Sequence, residues 1–135
     1  MMKFNIDTTV DAAAELEAFL NYNGIEYRVS EGRYKLIFSS RGFKWETDCV
    51  CRERAVLIYG IYPFPAGDRA YALSLCSKIN SRVLYGGMFI QDDTVVFRTG
   101  ADLFDSYSAY ESIGRAIDYN ARVMTEFWHK MAVCS

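Results

Sequence analysis

The sequence predicts an α+β fold: an antiparallel sheet of about five to six strands with three helices, in the order α-β-β-β(-β)-α-β-β-α. Three observations point there. Apolar and polar residues alternate with period two through residues 25–52, the pattern of strands with one wet face. Apolar residues recur at helical spacing in three other stretches, near the start, the middle and the end. No linker, internal repeat or low-complexity stretch divides the 135 residues, a length that suits one domain with a core of its own. Residues 1–135 are therefore read as a single domain.

The first helix is expected over residues 9–22. Thr8 or Thr9 supplies an N-cap, Asp11 sits where the helix dipole favours an acid, and Gly24 stops the chain. Val10, Ala13, Leu16 and Leu20 keep helical spacing, and Phe19 widens their face. Strands follow. Ile25, Tyr27 and Val29 alternate with polar neighbours, then Tyr34, Leu36 and Phe38, then Phe43, Trp45, Thr47, Cys49 and Cys51. Glu31-Gly32 and Arg41-Gly42 read as the tight turns between them.

Ala55–Tyr62 breaks the alternation. Leu57, Tyr59 and Ile61 share one face, Val56, Ile58 and Tyr62 the other. A strand apolar on both faces needs cover on both sides. Pro63-Phe64-Pro65 is expected to end it. Residues 68–80 read as the second helix, burying Ala72, Leu75, Cys76 and Ile79. Val83–Ile90 reads as another two-sided apolar strand, with Gly86-Gly87 marking a bulge or close backbone approach. Asp92-Asp93 turns the chain into Thr94–Thr99. A long third helix over 106–130 carries the stripe Tyr110, Gly114, Ile117, Ala121, Met124, Trp128 and Met131.

Composition narrows the function classes. The net charge is −2 and Lys and Arg form no block, which argues against a nucleic-acid partner. No apolar stretch approaches the ~20 residues of a membrane span, and residues 1–5 lack the apolar region of a secretory signal. A cytoplasmic setting is expected. There Cys49, Cys51, Cys76 and Cys134 are read as free thiols. Their spacing does not match paired zinc ligands, so neither metal nor cofactor is expected.

Nor is catalysis expected. The single histidine, His129, lies near the end of a helix, and no nucleophile elbow or phosphate loop occurs. Asp92-Asp93 and Asp102 with Asp105 are paired carboxylates, but a turn and a helix start place them in water. The chain is 16% aromatic, with ten Tyr and nine Phe, which suits a core together with a contact surface.

Residues 79–98 read Ile-Asn-Ser-Arg-Val-Leu-Tyr-Gly-Gly-Met-Phe-Ile-Gln-Asp-Asp-Thr-Val-Val-Phe-Arg. The stretch resembles the core of the bacterial YbjN domain family, candidate sensory-transduction regulators. In that family a helix ends in Leu/Ile-Asn. A strand with a Gly-aromatic step, an acidic turn and a strand ending near Arg follow. Asn80, Gly87, Phe89, Asp92, Asp93 and Arg98 match. The resemblance extends over most of the chain in element order. It implies a type III secretion chaperone-like fold, in which small α+β domains pair into dimers and bind an extended segment of a partner protein. It implies no catalytic residues. The first block here holds four strands where that fold has three, so residues 25–30 are an edge extension or Glu31-Gly32 is a bulge.

The functional expectation is a non-enzymatic protein-binding or chaperone-like regulatory module, a homodimer or the carrier of a protein partner. Its partner-binding residues are expected to be Tyr59, Tyr62, Phe64, Tyr85 and Phe89, with Arg98 anchoring a carboxylate. The alternative is a small-molecule sensor or enzyme with a pocket between the C-terminal helix and the sheet. Tyr27, Trp45, Tyr107 and Tyr110 would line that pocket, again with Arg98 as anchor.

Overall fold

Helix α1 (Ala12–Tyr22) is the first element of the described residues, and strands β1 (Arg28–Ser30), β2 (Arg33–Ser40), β3 (Phe43–Arg52) and β4 (Ala55–Pro65) follow. Helix α2 (Arg69–Asn80) leads to β5 (Gly87–Gln91) and β6 (Thr94–Asp102), and α3 (Ser106–Glu126) and α4 (Trp128–Ala132) end it. This is a computed structural model, and it describes residues 10–135. The six strands form one sheet in the order β1-β2-β3-β4-β6-β5, and every neighbouring pair is antiparallel.

The hairpin turns explain the meander. Glu31-Gly32, Arg41-Gly42 and Asp92-Asp93 all have positive φ, at 54° and 76°, 54° and 82°, and 49° and 68°. Two consecutive left-handed residues make the turn whose twist matches that of paired strands. Glu31-Gly32 is thus a turn, and β1 is a strand of its own rather than an extension of β2.

All four helices lie on one face of the sheet, over two apolar clusters. Under α1 and the first half of α3 sit Leu16, Leu20, Leu36, Cys49, Ile58 and Ile113. Under α2, α4 and the second half of α3 sit Trp45, Tyr62, Met88, Phe97, Met124 and Met131. Burial at this level contributes roughly 1.5–3 kcal/mol for each large side chain.

Helix α3 crosses the sheet closely at Gly60. A Cβ there would strike the Asn120 amide oxygen and come within 2.9 Å of Met124. The buried Asn120 Nδ2 donates to the carbonyls of Ile58 at 3.1 Å and Phe97 at 2.9 Å and to Thr99 Oγ1 at 3.3 Å. Thr99 donates in turn to the Ala116 carbonyl at 2.9 Å, and the Tyr62 hydroxyl to that of Met124 at 2.9 Å. Ala116 and Asn120 therefore face the sheet at this crossing. The buried row is Ala109, Ile113, Ala116, Ile117, Asn120, Val123 and Met124, and the expected Tyr110, Gly114 and Ala121 lie on its flank.

Other boundaries also differ from expectation. Asp11 caps α1, its carboxylate accepting from Ala14 N at 3.2 Å, and Thr8 and Thr9 lie outside the described residues. Strand β4 continues through Pro63 and Pro65, because a register shift between Ile61 and Pro65 removes the need for their amide hydrogens. The strand expected over Val83–Ile90 begins only at Gly87, and Leu84 is 83% exposed. Gly86 makes a close backbone approach, since a Cβ would sit 2.6 Å from the Arg98 carbonyl.

The described residues hold four helices rather than three. Phe127 leaves helical geometry at φ −102°, ψ 11°. The break sets Trp128 on Phe43, stacked at 4.6 Å, and lets Met131 and Cys134 into the cluster beneath α2.

Candidate functional site

The other face of the sheet carries no helix among the described residues. Strand registers define what it presents. One row crosses the sheet as Arg28, Lys35, Asp48, Tyr59, Arg98 and Gly87. The next runs Ile37, Glu46, Ile61, Val96 and Phe89. On the opposite side of the first row lie Ser30, Arg33, Val50, Leu57 and Gly100.

Chemistry divides this face into two halves. On β1–β3 it is charged. Over β4, β6 and β5 it is apolar, with Leu57, Tyr59, Ile61 and Phe89 half-buried and Val96 only 3% exposed. None of these five belongs to the two clusters beneath the helices. Ile61, Val96 and Phe89 are cross-strand neighbours.

The charged half is partly neutralised. Arg33 pairs with Asp48 at 3.5 Å and Lys35 with Glu46 at 3.9 Å, and the Arg33 guanidinium lies 5.8 Å over the Tyr59 ring. Asp48 is 4% exposed and its Oδ1 has no hydrogen-bond partner. The Glu46 carboxyl is pushed above its ordinary range. Protonated, it hydrogen-bonds to Asp48; ionised, it is partly desolvated and faces that carboxylate.

Arg98 stands at the centre of the apolar half, exposed and with no ion pair among the described residues. Beside it is an open cavity of about 320 Å³, lined by Leu57, Gly86, Gly87 and Gly100. A Cβ on Gly87 would meet nothing within 4 Å, so the floor is clear next to the guanidinium.

The expected partner-binding residues fall in three places. Tyr59 and Phe89 share the open face with Arg98. Tyr62, 1% exposed, lies on the helix-covered face, with Phe64 stacked on it at 5.4 Å. Tyr85 precedes β5, stacks on Tyr119 at 4.4 Å and donates to the Arg115 carbonyl at 3.3 Å. Val96 was missed in the sequence, because Val95-Val96-Phe97 does not reveal which of its members faces outward.

The residues expected to line an internal pocket are not brought together. Tyr107 is 98% exposed. Tyr110 packs on Phe19 and Tyr22 at 5.0 and 5.7 Å. Tyr27 leans on Tyr34, and Trp45 is enclosed by Phe38 and Trp128. Arg98 lies across the sheet from α3. Asn120, Met124 and Phe97 occupy the space between helix and strands where the pocket was expected.

Burial pushes the Cys49 thiol to about 12 and the Cys76 thiol to about 11, and raises Cys51 and Cys134. All four are held in the protonated form, which is a poor nucleophile and a poor ligand. His129 is exposed and meets Phe43 edge-on at 5.3 Å. Asp105 caps α3, accepting from Ser108 N at 2.8 Å, while Asp92 and Asp93 occupy their exposed turn.

No protein-family profile matches the chain, and no curated protein matches it in sequence. Solved structures share its fold, two of them over more than nine-tenths of this chain. One is YbjN from E. coli, a candidate transcription regulator; it is 14% identical, with a TM-score of 0.64, over 92% of this chain and 96% of that one. The other is the Yersinia pestis type III secretion chaperone SycH, in complex with a stable fragment of YscM2. It is 14% identical, with a TM-score of 0.50, over 93% of this chain and 100% of that one. The fold is thus YbjN-like and type III secretion chaperone-like.

Proposed function

We propose that this chain is a non-enzymatic, chaperone-like protein-binding module, cytoplasmic and homodimeric. The observation that carries the reading is the apolar half of the open sheet face. Leu57, Tyr59, Ile61, Phe89 and Val96 form one continuous patch across β4, β6 and β5, with no helix over it among the described residues. Such a patch, rimmed by polar groups, marks a protein-interaction surface. Its mix of aromatic residues and an arginine is that of binding hot spots. SycH, which shares the fold, is seen holding a fragment of another protein, and this supports the reading.

Self-pairing is assigned to a different surface. Tyr22, Tyr107 and Phe104 are 81%, 98% and 80% exposed, and Tyr22 packs edge-on against Tyr110 at 5.7 Å. A second copy seated on these exposed aromatic residues of α1, α3 and the segment before α3 leaves the sheet face free. Buried thiols and an exposed lone histidine support the non-enzymatic part.

The test is selection of a displayed random-peptide library on the purified protein. The reading expects peptides whose binding is lost in Tyr59→Ser/Phe89→Ser and kept in Tyr107→Ser. No enrichment, or binding indifferent to the first variant, overturns it. Sedimentation equilibrium tests the pairing: a wild-type dimer should become a monomer in Tyr107→Glu, and a wild-type monomer overturns it.

A further inference from the structure

Resting on that reading, we infer the chemistry of the partner: a protein segment that presents carboxylates beside aliphatic or aromatic side chains. The whole chain has a net charge of −2, but the open face does not share that sign. The registers place Arg28, Arg33, Lys35, Lys44, Arg52 and Arg98 on it. Against these six, among the described strand residues, stand Glu46, Asp48 and Asp102. Glu46 and Asp48 are already paired to Lys35 and Arg33. Arg28, Lys44, Arg52 and Arg98 make no ion pair among the described residues.

Arg98 makes the selection sharp. Any chain that covers Tyr59, Ile61 and Phe89 also covers the guanidinium beside them. An uncompensated cation taken out of water costs several kcal/mol, so the covering chain must bring an anion. The clear floor at Gly87 and the cavity of about 320 Å³ leave room for a carboxylate there, which a guanidinium can hold with two hydrogen bonds. A second copy laid face to face would set cation against cation, which disfavours it as occupant. A nucleic acid would supply anions but little to fill the aliphatic surface of Leu57 and Ile61.

Fluorescence anisotropy with synthetic probes tests this on the full chain. One peptide alternates Glu with Leu and Phe, a second has Gln for every Glu, and the third probe is single-stranded oligothymidylate. The acidic peptide should bind about tenfold tighter than the Gln peptide, and the advantage should shrink in high salt. Arg98→Gln should remove most of it, while Arg115→Gln on α3 leaves it intact; circular dichroism checks that both variants fold. Equal binding of the two peptides, lost in Tyr59→Ser, overturns the charge selection and leaves the protein-binding reading standing. Tighter binding of oligothymidylate overturns the inference in favour of a nucleic acid. A wild-type dimer that Phe89→Glu dissociates overturns it in favour of a second copy. If neither peptide binds, the inference fails, and the library selection decides whether the reading fails with it.

Discussion

The two faces of strand β4 are built from nearly the same residue types and have different fates. Inward, Val56, Ile58, Gly60 and Tyr62 are buried under the helices. Outward, Leu57, Tyr59 and Ile61 are half-buried, sheltered by neighbours in the sheet and by no helix among the described residues. The inward face, together with Thr99 of the neighbouring β6, is joined to α3 by buried hydrogen bonds from Asn120, Thr99 and Tyr62. The outward face has an exposed arginine at its centre. Burial against the chain's own helices stabilises the fold, whereas apolar surface left with a cation in its midst selects what docks on it.

Adjacent residues of β4 break or sharpen that contrast. Ile58→Ala removes a fully buried side chain and should cost about 4 kcal/mol of unfolding free energy in urea. Tyr59→Ser, one residue on, should cost about 1 kcal/mol; equal losses would mean that both faces are core. Gly60→Val drives a side chain into Asn120 and Met124 and should lose about 3 kcal/mol. A variant as stable as wild type would show that α3 is free to lift at that point.

Glu46→Gln should have the smallest effect. The raised Glu46 carboxyl binds its proton more tightly in the folded chain than in the unfolded one. Stability therefore falls as pH rises through that carboxyl's range, and the loss is complete at neutral pH. Gln removes it, so the variant should melt slightly higher at pH 7. The gain should stay within about 1 kcal/mol, because water screens a side chain this exposed and its pairing with Lys35 is weak. The difference should vanish in acid, where Glu46 is protonated in both states; a lower melting temperature at pH 7 would show that the Lys35 pair outweighs the clash with Asp48.

Much of the fold was legible because it is written locally. The turn residues Glu31-Gly32, Arg41-Gly42 and Asp92-Asp93 mark three hairpins, and the spacing Ala72, Leu75, Cys76, Ile79 marks the inner face of α2. What failed depends on distant partners. The buried face of α3 is turned toward Ala116 and Asn120 because Gly60, over fifty residues earlier, lets the helix come close. Val83–Tyr85 has strand composition but pairs with no strand among the described residues. At the candidate site, Tyr59, Phe89 and Arg98 were identified as single residues. Only the order β4-β6-β5 places them side by side, and only the packing of the helices shows that the face of β4 bearing Tyr62 is the covered one.

Hydroxyl-radical footprinting, with and without a peptide enriched on the protein, tests the central claim most directly. The account predicts that Tyr59 and Phe89 lose reactivity when the peptide binds, while Tyr107 at the other surface is unchanged. Protection at Tyr107 with Tyr59 and Phe89 unchanged would contradict it.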